Sequence, residues 1–164
     1  MVEINANKQT TVEVKGPELI VNRIFNAPRE LVWKAWTEPE HVVNWWGPKG
    51  FSIRTSEIDI RPGGIWRFIM KGPDGVEYPN KISFREIVKP ERLVYTSSDD
   101  IEDDPGQFQT IVNFVEQDNK TILTMRLIFP SEEIREKVVK EYGAIEGANQ
   151  TLDRLEEQLR IMGK

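Results

Sequence analysis

Glu57 and Asp59 alternate along one predicted strand, so both carboxylates project from the same face two residues apart. Inside a cavity such a pair could act as general acid and general base. On a wet sheet face it is a solvated pair, and that reading fits an exposed strand better. Arg67, Tyr95, Asn113 and Arg126 either dot a largely apolar pocket with polar groups or point outward. His41 is the single histidine, and no nucleophile or second base lies near it in sequence. It reads as a surface or capping residue. Asp99-Asp100-Ile101-Glu102-Asp103-Asp104 lacks the glycine and distal glutamate of a calcium loop, and reads as a solvated, mobile loop. Arg61-Pro62-Gly63-Gly64 would need a helix behind it to cradle phosphate; a strand follows, so it reads as a turn.

The aromatic residues offer recognition rather than catalysis. Trp45-Trp46-Gly47-Pro48 places two indoles side by side where a short helix must stop. At a cavity mouth they would grip an apolar ligand, each with one N–H to orient it. The alternative is that they staple the short helices to the rest of the chain. Trp33, Trp36 and Trp66 read as packing residues, and Trp66 also belongs to the face opposite the last helix.

Composition removes other chemistry. The 164 residues contain no Cys, so disulfides, thiolate nucleophiles and thiolate metal sites are excluded, and one His excludes a His-rich zinc site. No metal and no cofactor is expected. A net charge of −5 argues against a nucleic-acid partner, because phosphate affinity requires clustered cations. No stretch approaches the ~20 apolar residues of a membrane span, and no basic-then-apolar signal opens the chain, so the expected location is cytoplasmic.

These residues must be positioned by strands and by one long helix. Residues 1–17 form a polar lead-in in which Thr11–Val14 could add an edge strand; residues 18–164 form one domain. Leu19–Phe25 reads as a strand stopped by Pro28. Arg29–Thr37 and Glu40–Trp46 read as two short helices broken by Pro39 and Gly47-Pro48. Phe51–Ile60, Ile65–Lys71, Asn80–Lys89, Arg92–Ser97, Gln107–Glu116 and Thr121–Phe129 read as consecutive antiparallel strands. Apolar parity slips between Ile53 and Ile58, which predicts a bulge near Arg54–Glu57. Ser131 caps a helix whose stripe runs Ile134, Val138, Tyr142. From Ala144 to Met162, Ala144, Ala148, Leu152, Leu155, Leu159 and Met162 form one apolar seam, with Arg154, Glu156, Glu157 and Arg160 on the wet side. The predicted class is α+β: a curved antiparallel sheet of about six or seven strands wrapped around the C-terminal helix.

Four stretches carry a family resemblance: Phe25–Thr37, Trp45-Trp46-Gly47-Pro48, Arg61-Pro62-Gly63-Gly64 and Gly72-Pro73-Asp74-Gly75. In order and spacing they resemble the bacterial proteins named for the activator of heat-shock protein 90 ATPase, within the START-like (SRPBCC, polyketide cyclase-like) superfamily. The resemblance covers Glu18 to Leu159. It departs at Asn80-Lys81-Ile82, where family members often carry glycine. It implies a helix-grip fold and a cavity between sheet and helix. It does not imply one reaction, since the superfamily includes lipid carriers, receptors, cyclases and chaperone co-factors.

Three functions follow as expectations. The first is a module binding a small hydrophobic or amphipathic molecule, with Trp45, Trp46, Trp66, Phe68, Tyr95, Phe108, Met125, Leu127, Leu152 and Leu155 as ligand-contact candidates. The second is a stress-related co-factor of a chaperone, which rests on the family resemblance. The third is a cyclase or aromatase-like enzyme using Glu57, Asp59, Arg67 and Tyr95 as polar cavity residues.

Overall fold

Leu19, Val21, Arg23 and Phe25 are buried along one strand, while Ile24 between the last two is exposed. That period of two belongs to a sheet covered on one side and wet on the other. The computed structural model describes residues 2–5 and 10–163, with side chains from residue 10 onward. Its strands are β1 (Val2–Asn5), β2 (Thr10–Lys15), β3 (Glu18–Phe25), β4 (Ser52–Ile58), β5 (Ile65–Lys71), β6 (Glu77–Val88), β7 (Arg92–Ser98), β8 (Phe108–Gln117) and β9 (Lys120–Ile128). Helices α1 (Arg29–Thr37) and α2 (Pro39–Trp45) follow β3, and α3 (Glu132–Lys140) and α4 (Ala144–Met162) follow β9.

The strands make one antiparallel sheet in the order β1-β2-β3-β9-β8-β7-β6-β5-β4. Every pair from β4 to β9 is a sequential hairpin; the one long connection, through α1 and α2, carries the chain from β3 to the far edge. The nine strands among the described residues exceed the six or seven expected, because the polar lead-in supplies two of them. β2 contains Thr11–Val14 and pairs along its length with β3; β1, not β2, forms the edge. Val12 is fully buried on that strand. Residues 1 and 6–9 of the lead-in lie outside the described residues.

The register shift expected near Arg54–Glu57 falls between Thr55 and Glu57, and a second falls between Phe84 and Glu86. The Arg61–Gly64 segment is a turn: Gly63 donates its N–H to the Phe84 carbonyl, and Phe84 donates to that of Gly64. A Cβ on Gly64 would stand 2.1 Å from the Asp59 carbonyl oxygen, so only glycine fits there.

α4 covers the inner face of the sheet. Leu152, Leu155 and Leu159 are buried in a core that includes Trp33, Trp36, Phe114 and Leu123. Arg23, 2% exposed, reaches from β3 to Asp153 at 2.7 Å and Glu156 at 3.5 Å, with its guanidinium over the Phe25 ring. A buried arginine paired with two acids ties the helix to the strand at a defined rotation. Arg154 is not a solvent residue as its helical position suggested: it donates to the carbonyls of Asn44, Trp46, Gly47 and Pro48 at 2.9–3.2 Å. Ser131 accepts from the Ile134 N–H as the N-cap of α3. Tyr142 does not extend the apolar stripe of α3, which ends at Lys140; it is 70% exposed.

Candidate ligand site

Side-chain size along α4 divides the space beneath it. Leu155 and Leu159 are buried against the core in the C-terminal half, whereas Ala144, Ala148 and Thr151, followed by Leu152, border open space beneath the N-terminal half. The space left over is a cavity of about 270 Å³. Protein interiors are close-packed, so an apolar void of this size is a feature of the architecture rather than a packing fault.

Of the residues expected to meet a ligand, Trp45, Trp46 and Tyr95 form one part of the wall, and Phe108, Met125, Leu127 and Leu152 another. Met70 and Ile82 complete the apolar lining from the β5–β6 side. Trp36, read from the sequence as packing alone, also faces the cavity. It stands edge-on to Trp46 at 5.8 Å and Trp46 lies 6.0 Å from Tyr95, so the three rings form a continuous aromatic wall. The two indoles of the Trp45-Trp46 pair differ. Trp45 is 1% exposed and donates its N–H to the Ala35 carbonyl at 2.9 Å, which staples α2 to α1. Trp46 is only half-buried and stays available to the cavity. Gly47 adopts φ +96°, and a Cβ there would meet the Met70 sulfur at 2.7 Å, so the turn after α2 closes against the lining itself.

Polar groups are few and concentrated. Tyr95 is buried, and desolvation pushes its phenol well above the usual range, opposed in part by a hydrogen bond with Thr110. Ser97, Ser98 and Asn80 lead outward to Asp99 and Asp104. The acidic segment is not the freely solvated loop expected. Asp104 is buried and accepts from the backbone N–H groups of Asp99 at 2.8 Å and Gly106 at 2.9 Å, folding the loop around its carboxylate. Burial, and then the charge of Asp104, hold the Asp99 carboxyl above its ordinary value.

Several expected site residues lie elsewhere. Arg67 alternates with the buried Trp66 and Phe68 and therefore points to the opposite, outer face. There it meets Glu57 at 2.9 Å across the β4–β5 pair and Asp100 at 2.9 Å. The bulge between Thr55 and Glu57 is what brings Glu57 onto that face. Asp59 pairs with Arg61 and is half-exposed. Trp66, Phe68 and Leu155 belong to the filled core: Trp66 stands behind Trp46 at 5.1 Å and donates to Thr55, and its ring lies 4.3 Å from that of Phe68. His41, Glu38 and Glu40 bring ligand-capable atoms within 4.8 Å of one another, on the surface and outside the cavity lining; His41 also hydrogen-bonds Gln158.

Among curated proteins no sequence matches this chain. Solved structures do. A protein from Arthrobacter aurescens is 25% identical, with a TM-score of 0.83 over 91% of this chain and 90% of its own. One from Nitrosomonas europaea is 30% identical, with a TM-score of 0.79 over 89% of this chain and 96% of its own. One from Mycobacterium smegmatis, at 24% identity, has a TM-score of 0.79 over 89% and 93% of the two chains and shows the same fold. The helix-grip architecture expected from the sequence is thus that of the described structure and of its neighbours. The family model described as activator of Hsp90 ATPase homolog 1-like protein matches residues 26–160, from the end of β3 almost to the end of α4, and the chain belongs to that family.

Proposed function

We propose that this protein binds a small, largely apolar molecule in the cavity beneath the N-terminal half of α4. One observation carries the reading: an apolar cavity of about 270 Å³ lies beneath Ala144 and Ala148 and is bordered by Leu152, whereas Leu155, about one turn further on, is fully buried in the core. An aromatic wall and a few hydroxyl and carboxylate groups at one end are the usual composition of a small-molecule site. The proton-moving candidates Glu57, Asp59 and Arg67 are committed to ion pairs outside it, which favours binding over cyclase-like chemistry. Tyr95 and Thr110 are then orienting groups for a ligand oxygen or nitrogen. A chaperone co-factor role is supported by the family's description alone. No helix among the described residues is long and apolar enough to cross a membrane; a cytosolic location is proposed from the sequence alone.

A neutral fluorescent probe, N-phenylnaphthylamine, tests the reading. The wild-type protein should enhance its emission with saturable binding, and Ala148→Leu, which fills the cavity from above, should abolish it. Equal enhancement by both proteins, or none by the wild type, would contradict the proposal.

A further inference from the structure

We infer that the cavity takes a molecule with an apolar body and a protonated amine, the body lying against Trp46 and Tyr95 and the amine held at Asp99 and Asp104. The inference rests on the ligand-binding reading above and adds the class of ligand.

Strand geometry orients the site. Tyr95 and Ser97 are successive inward positions on β7, and Asp99 follows just beyond its end. At about 3.3 Å per residue, Asp99 stands roughly 13 Å from Tyr95 along the strand. The aromatic wall and the acidic pair therefore mark opposite ends of the cavity, with Ser97 between them. Polarity rises in one direction, from indole and phenol through hydroxyl to carboxylate.

The sign of the charge at the polar end is not balanced from within. The lining contains Asp99 and Asp104 and no Lys, Arg or His. Two neighbouring arginines are already engaged, Arg67 with Asp100 and Glu57, and Arg154 with four backbone carbonyls behind Gly47, while Lys81, across the ladder from Ser98, lies outside the lining. The N-terminus of α4 at Ala144 contributes about half a positive charge, less than the two carboxylates carry. Asp104 uses both oxygens on backbone N–H groups, whereas no cation pairs with Asp99 among the described residues. Burial first, and then the charge of Asp104, raise the Asp99 pKa. An ammonium group would offset the like charges and make charge-assisted hydrogen bonds, whereas a carboxylate would add a third like charge in a partly desolvated place. Fatty acids and other anions are excluded on that ground, and neutral alcohols gain nothing from it.

Octylamine, octanol and octanoate share one apolar body and differ in head group, so calorimetric titration at neutral pH separates the contributions. Octylamine should bind about tenfold or more tightly than octanol, the return expected of a charge-assisted hydrogen bond, and octanoate should be weakest. Asp99→Asn keeps the backbone N–H that Asp104 accepts, and should bring octylamine to within about threefold of octanol while leaving octanol unchanged. Ala148→Leu should abolish all three. Octanol binding with no preference for the amine, a preference for octanoate, an amine preference that survives Asp99→Asn, or binding unaffected by Ala148→Leu would overturn the amine assignment. Failure of all three ligands to bind would instead overturn the ligand-binding reading on which it stands.

Discussion

Arg154 donates to the carbonyl oxygen of Trp46 at 3.2 Å, joining the last helix to the turn that carries the half-buried indole of the cavity wall. The same guanidinium serves Asn44, Gly47 and Pro48, so one side chain satisfies the C-terminal carbonyls of α2 and fixes the turn after it. Burial without an acidic partner lowers its pKa, yet arginine remains charged at any ordinary pH. The wall and roof of the cavity are therefore one unit.

Arg154→Ala should strip those carbonyls of their donor and cost about 1.5–3 kcal/mol, the range for hydrogen bonds to a charged group. Urea unfolding monitored by tryptophan fluorescence measures it. Probe affinity should fall as well, because Trp46 loses its tether. A stability within about 0.5 kcal/mol of wild type would show the network to be ornamental.

Leu155 and Leu152 should respond differently although both are buried. Leu155→Ala opens a void in filled core and should cost about 2–5 kcal/mol with little effect on probe affinity. Leu152 already faces the cavity on one side, so Leu152→Ala should cost less, since fewer contacts are lost, and should change affinity more. Matched unfolding and binding titrations compare them; the reverse ranking would place the cavity under the wrong half of α4.

The turn at Gly47 is also specific. Ala at φ +96° is strained, and its Cβ would collide with the Met70 sulfur. Gly47→Ala should destabilise by at least about 1–2 kcal/mol, from the backbone alone. Thermal unfolding should show a lowered Tm together with reduced probe binding.

Asp99 carries a pH-dependent penalty whose sign can be worked out. Its folded pKa lies above the unfolded value, so the folded state binds the proton more readily and loses stability as pH rises through the window between the two. Below the ordinary value of 3.8 both states are protonated and the penalty is absent; above the raised folded value it is fully present. Asp99→Asn should therefore stabilise the protein at neutral pH, by less than about 1 kcal/mol because the group is exposed, and should make no difference in strong acid. Urea unfolding of both proteins at several pH values checks it, and a difference that grows on acidification would contradict it.

Much of the framework was legible because local chemistry specifies it. The antiparallel meander from β4 to β9, the Thr55–Glu57 bulge, the Ser131 cap and the seam of α4 all follow from period, parity, turn residues or a single capping residue, whereas the pairing of β3 with β9 does not. β2 was expected only as a possible edge strand over Thr11–Val14 and β1 not at all, because their residues mix β-branched and charged types without a clear face; pairing of β2 with β3 and of β1 with β2 decides their state. Arg154 was misplaced because helical periodicity locates a residue on the helix but not the loop that packs against it. Trp36 was read as packing alone, and one residue type serves both roles when a wall is also core. The extent of the cavity was visible in one signal that the seam concealed: Ala144 and Ala148 share the stripe with Leu152, Leu155 and Leu159 but are too small to fill it. That Asp99 and Asp104 turn toward the cavity depends on backbone hydrogen bonds within the loop, which no residue pattern announces.

The central claim is that a ligand occupies the space beneath the N-terminal half of α4. Methyl-resolved NMR during a titration with octanol examines that space atom by atom. The account predicts saturable shifts at Met70, Met125, Leu127 and Leu152, with Leu155 and Leu159 unmoved. Shifts confined to the exposed outer-face residues Ile24 and Val115, or no saturable shift at any methyl group lining the cavity, would contradict it.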